Sequence, residues 1–375
     1  MSARETTPNK SDERWMRRAL RLAERGAGRT RPNPPVGAVI VRRGREAGVG
    51  FHARAGGSHA EIVALTAAGT LARGATLYVT LEPCCTCGRT GPCTEAIRAA
   101  GIARVVIGAR DPNPIHDGRG IRRLRRSGIR VDEGILAETA RELIRPFESL
   151  VKRGRPFVTV KLGMTLDGRI ADARHRSKWI TSAASRKQVA RMRSRADGIL
   201  VGRQTVRDDD PGLLAPGRDG LWRIVADSRG RMPTNARVLS DSARARTLVA
   251  TTARCPQAFR RLCAARGVRL EQIPARSGQV SLPALMRRLG KLGLTHVLCE
   301  GGGELAAALV AAGLADELVL FMAPSLLGGG ATVPAIGGPG WPLRAMPRLR
   351  ITEARRIGDD LMIRAVPAKK GDARG

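Results

Sequence analysis

The chain has 375 residues, 42% of them apolar, which suits two globular cores, and no apolar run long enough to span a membrane. Its formal net charge of +33 is spread along the whole chain: residues 1–150 hold 26 Lys and Arg against 15 Asp and Glu, and the remainder 40 against 18. Aromatic residues make up only 3%, so base-stacking platforms are scarce; the charge reads as a basic surface that favours a phosphorylated small substrate over nucleic acid.

In chain order, Trp15, Met16, Ala19, Leu20, Leu22 and Ala23 predict a helix before about Asn33, ended by Gly26 and Gly28. Residues 36–41 read as a short buried strand, followed by a turn at Arg43-Gly44. His59 opens a helix that runs through Ile62, Val63, Leu65 and Ala67 to Gly69. Residues 76–81 form a strand, 94–100 a helix, 105–108 a strand, 120–126 a helix and 129–131 a strand. Residues 146–156 carry two prolines, Gly154 and several charges, and read as a junction between domains 1–150 and 151–375. A second alternating unit follows, with strands at 157–161, 198–202, 223–226, 247–251, 296–300 and 317–323. Residues 368–375 read as a basic, disordered tail. This alternation predicts α/β domains with ligands at the carboxyl ends of their strands.

Residues 1–25 are polar and lack the apolar core of a secretory signal, so a cytoplasmic location is expected. In that compartment seven cysteines, four of them between Cys84 and Cys93, point to metal chemistry rather than disulfides. The strongest motif is His59-Ala60-Glu61 followed by Pro83-Cys84 and a further cysteine, the pattern of a zinc-dependent base deaminase. Three ligands leave a fourth zinc position open for water, and Glu61, two residues from His59, can carry a proton without binding metal. The third ligand has two claimants. Cys87 completes a Pro-Cys-x-x-Cys pattern; Cys93 directly precedes the helix at Thr94, where backbone amides stabilise a thiolate, and this placement favours it. In the second unit a strand runs into Glu300-Gly301-Gly302-Gly303 and then a helix. That turn lets amides approach a pyrophosphate, but it is not the dinucleotide fingerprint of a Rossmann fold.

Residues 1–150 resemble the deaminase domain of the bifunctional riboflavin-biosynthesis deaminase/reductase family (RibD). The resemblance rests on Pro32-Asn33-Pro34-Pro35-Val36-Gly37, Gly50-Phe51-His52, His59-Ala60-Glu61, residues 80–84, Gly88-Arg89-Thr90 with Pro92-Cys93, and residues 111–114. It implies a cytidine-deaminase-like α/β/α domain holding one zinc on His59, Cys84 and Cys93. It also implies Glu61 as the catalytic proton carrier and substrate contacts from Asn33, His52, Arg89, Asp111 and Asn113. The chain departs from the family where Cys85, Thr86 and Cys87 replace a usual Ser-His and a further His or aromatic residue.

Residues 155–366 resemble the family's reductase domain through residues 161–168, residues 177–181, Gly202 with Thr205-Val206, Asp209-Asp210-Pro211, Asp227-Ser228 and residues 300–303. The resemblance implies a dihydrofolate-reductase-like α/β fold and NADPH contacts from Gly163, Trp179, Thr205, Asp209, Ser228, Gly302 and Gly303. Ser177, Arg193, Leu213 and Glu300 would face the sugar phosphate. Arg229 or Arg231, charged and close to Ser228, are candidates for the cofactor's 2′-phosphate. Pro216 stands where the family commonly has an Arg near the substrate phosphate, with Arg218 as its nearest substitute. The cluster Asp208-Asp209-Asp210 is the nearest candidate acid. The expected activity is zinc-dependent deamination of a diaminopyrimidinone ribosylamine phosphate, then NADPH-dependent reduction of its ribosyl group. A homo-oligomer without nucleic-acid or membrane partners is expected. The competing class, a nucleic-acid-editing deaminase, is favoured by the charge and opposed by the scarcity of aromatics.

Overall fold

The computed structural model describes residues 10–86 and 91–368, and the chain divides into two compact units, Met1–Gly154 and Arg155–Gly375. The first comprises α1 (Lys10–Glu24), β1 (Gly37–Arg42), β2 (Arg45–Phe51), α2 (Ala60–Ala68), β3 (Thr76–Leu81), α3 (Cys93–Ala99), β4 (Arg104–Ala109), α4 (Arg119–Arg126), β5 (Arg130–Glu133) and α5 (Ala137–Arg153). Its sheet has the order β2-β1-β3-β4-β5; β1 is antiparallel to both neighbours, and β3, β4 and β5 run parallel.

Alternation along the strands sorts side chains to two faces. Val39, Val41, Tyr78 and Val106 pack with Trp15, Met16 and Ala19 of α1 and Ala140 and Ile144 of α5. Ile40, Leu77, Val105 and Ile107 pack with Ala60 and Ala64 of α2, Ile97 of α3 and Leu124 of α4. The result is a sheet covered on both sides. Strand β2, absent from the sequence reading, carries Gly48 and Gly50 where α2 comes closest: a Cβ on Gly50 would lie 2.2 Å from the Ala60 carbonyl oxygen. The junction expected over 146–156 is helical as far as Arg153. Pro146 lies inside α5, which continues because Ile144 and Ser149 are buried, and the helix ends at Gly154 in a left-handed conformation.

The second unit comprises β6 (Phe157–Thr165), β7 (Arg169–Ala171), α6 (Ala183–Arg195), β8 (Gly198–Gly202), α7 (Arg203–Asp209), β9 (Trp222–Ala226), α8 (Arg237–Ser240), β10 (Thr247–Thr251), α9 (Gln257–Ala265), β11 (Arg269–Gln272), β12 (Ala275–Arg276), β13 (Gln279–Val280), α10 (Leu282–Lys291), β14 (His296–Cys299), α11 (Gly303–Ala311), β15 (Glu317–Ala323), β16 (Val333–Pro334), β17 (Leu349–Ile357) and β18 (Asp360–Pro367). The main sheet runs β11-β10-β9-β8-β14-β6-β15-β18-β17, parallel from β11 to β15 and antiparallel over the last two strands. The central strands β6, β8 and β14 read as near-continuous apolar runs because both faces of a parallel sheet are covered. Their carboxyl ends deliver Gly163, Gly202 and Glu300 to one edge of the sheet. Among the described residues no helix is long and apolar enough to cross a membrane. Residues 369–375 of the expected tail lie outside the described residues.

Two candidate active sites

His59 is the residue preceding α2, Cys84 lies just beyond the end of β3, and Cys93 is the first residue of α3. Their ligating atoms all lie within 4.8 Å of one another. His59 Nδ1 is 3.2 Å from Cys93 Sγ and 3.6 Å from Cys84 Sγ, and the Cys93 amide donates to Cys84 Sγ at 3.4 Å. The hydrogen bond from Cys93 brings the Cys84 thiol down to about 4, while the same contact and burial push the Cys93 thiol up. Two sulfurs and an imidazole in this arrangement suit a borderline-soft divalent ion, and with three protein ligands a fourth position is left for water. Between the two expected claimants, the described residues bring Cys93 to His59 and Cys84; Cys87 lies outside them. Glu61, in the first turn of α2, is buried beside the cluster, and burial pushes its carboxyl up to about 7.

Asn33 and His52 stand next to this cluster. His52 Nδ1 lies 3.0 Å from the Ser58 carbonyl oxygen and its Nε2 3.3 Å from Asn33 Nδ2, and its ring meets that of His59 edge-on at 5.6 Å. Burial lowers the His52 pKa, so the ring is neutral, donating to Ser58 and accepting from Asn33. Asp111 follows the end of β4 and is buried; its Oδ1 accepts the Asn113 amide at 2.8 Å, and Asn113 Oδ1 accepts the Ile115 amide at 3.1 Å. Arg89 lies outside the described residues.

In the second unit the expected residues line one cavity of about 1420 Å³. Gly163, Ser177, Trp179, Arg193, Thr205, Asp209, Leu213, Ser228, Glu300, Gly302 and Gly303 all contribute to its wall, as do Arg229 and Arg231. That volume exceeds the roughly 300–1,000 Å³ of a pocket for one drug-sized ligand, and leaves room for two. At its floor Arg193 grips Glu300 through two hydrogen bonds of 2.6 and 2.9 Å. Arg193 is thus a paired group rather than a solvated helix charge. Trp179 is 71% exposed, with the Arg186 guanidinium 4.6 Å over its ring, and is not a core residue. Ser177 donates to Asp209 at 2.7 Å, and Asp210 accepts the Arg237 amide at 2.8 Å, so both carboxylates are engaged in holding loops.

Residues 156–363 match the family model of the RibD C-terminal domain, and residues 9–109 match that of the cytidine and deoxycytidylate deaminase zinc-binding region. The chain is 40% identical over 376 residues to the riboflavin biosynthesis protein RibD of Escherichia coli, covering 95% of this chain and all of that one. It is 39% identical to the Aquifex aeolicus protein of the same name, over 94% of this chain and 97% of that one. The chain belongs to the RibD family of bifunctional riboflavin-biosynthesis deaminase/reductases. A solved Acinetobacter baumannii RibD, 35% identical, superposes with a TM-score of 0.85 over 96% of this chain and 99% of its own. A Thermotoga maritima diaminohydroxyphosphoribosylaminopyrimidine deaminase/5-amino-6-(5-phosphoribosylamino)uracil reductase, also 35% identical, gives 0.84 over the same shares. Both units are thereby members of known enzyme classes, a hydrolytic deaminase with a cytidine-deaminase-like fold and an oxidoreductase with the dihydrofolate-reductase-like RibD fold.

Three features of this chain go beyond the sequence reading. Lys161 lines the cavity floor beside Glu300 and Arg193, and burial lowers its pKa. It lies within β6, among the apolar residues of that strand. Arg218, expected as the substitute for the arginine replaced by Pro216, does not line the cavity. Its side chain is buried, donates to the Ala196 carbonyl at 2.8 Å and lies 4.0 Å from Asp197, just before the amino end of β8 and so opposite the edge where the cavity opens. In the deaminase unit, Cys85 Sγ lies 3.9 Å from His116 Nδ1, so an imidazole reaches the segment where Thr86 stands in place of the family's histidine.

Proposed function

We propose that this chain deaminates 2,5-diamino-6-ribosylamino-4(3H)-pyrimidinone 5′-phosphate and then reduces the ribosyl group of the product with NADPH, the two reactions that the Thermotoga relative's name describes. The observation that carries the reading is the convergence of His59, Cys84 and Cys93 within 4.8 Å beside a buried Glu61. These three residues would hold one zinc ion per deaminase unit, which when bound supplies water activated for attack near neutral pH. Glu61 takes a proton from the attacking water and returns it to the leaving amine at the pyrimidine C2. Asn33, His52, Asp111 and Asn113 read the pyrimidine edge, since amide, imidazole and carboxyl groups supply both donors and acceptors. Arg89 is assigned to the substrate phosphate.

In the reductase unit bound NADPH would supply the hydride that C1′ of the sugar accepts. The C1′–O4′ bond opens and a proton goes to O4′, giving the ribityl chain. Gly163, Trp179, Thr205, Asp209, Ser228 and the Gly302-Gly303 turn hold NADPH, with Arg229 or Arg231 on its 2′-phosphate. Ser177, Arg193, Leu213 and Glu300, with Lys161, orient the sugar phosphate. Ammonia release and NADPH oxidation, followed together on this substrate, test the assignment. The cofactor part has a separate test: Arg229→Ala and Arg231→Ala should shift preference from NADPH toward NADH, and an unchanged preference would remove both residues from that role.

A further inference from the structure

Glu82 connects the two halves of the deaminase site. It lies between the end of β3 and Cys84, is 3% exposed, and points at a different part of the chain. Its Oε2 accepts the amides of Asp111 at 3.2 Å and Gly118 at 2.9 Å, and its Oε1 accepts that of Ile121 at 3.2 Å. Three backbone donors from the loop 111–118 and the first turn of α4 thus converge on one carboxylate. Gly120 brings that turn close: a Cβ there would lie 2.2 Å from the Pro83 carbonyl oxygen and 3.2 Å from Glu82 Oε1. The loop has its own internal order, with Asp111 accepting from Asn113 and Asn113 from Ile115. That order holds the loop's shape but does not set its distance from Cys84. The carboxylate of Glu82 does, because its own backbone continues into the zinc-ligand segment.

We propose that Glu82 is a positioning residue for deamination: it holds loop 111–118 in register with Cys84, so that a pyrimidine gripped by the loop meets the metal site at its C2. The inference rests on the reading of Asp111 and Asn113 as pyrimidine contacts. Hydrogen bonds to a carboxylate are the strong kind, and glutamine at this place keeps one acceptor while turning an N–H₂ toward backbone donors.

The test uses the full zinc-loaded chain as Glu82→Gln and Glu82→Asp, with reductase turnover as the internal control. Glu82→Gln is expected to keep its zinc and its reductase kinetics, and to lose hydrogen-exchange protection at the Asp111, Gly118 and Ile121 amides. Deaminase kcat/KM should fall by on the order of tenfold to a hundredfold, mainly through KM, because the loop's grip is lost while Glu61 and the ligands stay. Glu82→Asp, which keeps the charge, should recover part of the loss. Unchanged deaminase kinetics in Glu82→Gln would overturn the proposal. If Asp111→Ala and Asn113→Ala raise KM in the same assay, the clamp alone fails; if neither does, the reading of the loop fails with it. Loss of zinc or of reductase activity in both Glu82 variants would make the residue a structural prop and would also overturn the proposal.

Discussion

The two sites of this chain are built in opposite ways. The deaminase site is built from a few residues, and its candidate ligands come from positions that secondary structure fixes: the residue before α2, the exit of β3 and the first residue of α3. The reductase site is a wide cavity whose wall draws on residues from Lys161 to Gly338, the Arg193–Glu300 ion pair among them. Chemistry that depends on a metal triad needs few residues held to within tenths of an ångström. Chemistry carried by a dinucleotide needs a long surface in which most contacts orient the cofactor. Each site should therefore fail separately, and the first fails more abruptly.

The largest expected effect follows from the triad. Cys93→Ser or His59→Ala should lower deaminase activity by more than about a thousandfold, since the loss of a ligand removes the activated water. Zinc content should fall with it while reductase activity stays, and reductase loss in step with zinc would break the separation. Next, Lys161→Met should lower reductase kcat/KM by roughly a hundredfold to a thousandfold, because the cavity wall loses an amine beside Glu300. Deamination measured on the same preparation should not change; a parallel decline would place Lys161 in the fold rather than in the site. A smaller effect is expected from Gly50→Ala. Its methyl would press on the α2 turn that carries Glu61, costing about 1–3 kcal/mol of stability and about tenfold in deaminase kcat/KM. Thermal melting and kinetics together check it.

The smallest effect concerns stability against pH. Asp12 is buried, accepts from Tyr78 at 2.7 Å and from Arg104 at 2.9 and 2.8 Å, and its pKa is lowered chiefly by the Arg104 hydrogen bond. The folded value lies below the unfolded one, so this contribution is present above about pH 4 and is lost as pH falls through the lowered value. The deaminase unit of the wild type should therefore lose melting temperature on acidification more steeply than Asp12→Asn. Parallel curves would remove Asp12 from the account.

The same contrast explains what could be read in the sequence. The His59, Cys84 and Cys93 cluster was legible because rare residue types stand at or near the ends of strongly patterned elements: Thr76–Leu81 is apolar and β-prone, and Cys84 follows shortly after it. Strand β2 was hidden because Gly48 and Gly50 lower strand propensity while serving the approach of α2. The hairpin β17–β18 was hidden for another reason. Most of Leu349–Ile357 is exposed on both faces, so no alternation of apolar and polar residues marks it. In the reductase, Lys161 and Arg218 show the limit of local reading. One is a charge inside an apolar strand that becomes part of a site; the other is a charge in a loop that becomes part of the interior. Only the packing of distant strands decides which is which.

The most direct measurement takes the purified zinc-loaded chain and the diaminopyrimidinone ribosylamine phosphate, with and without NADPH, and records ammonia release and NADPH oxidation in one reaction. The account predicts ammonia release in both cases and, with NADPH present, oxidation that follows it until equal amounts have formed. Ammonia release without any NADPH oxidation would contradict the claim that one chain performs both reactions, and would leave the cavity of the second unit without the role assigned to it.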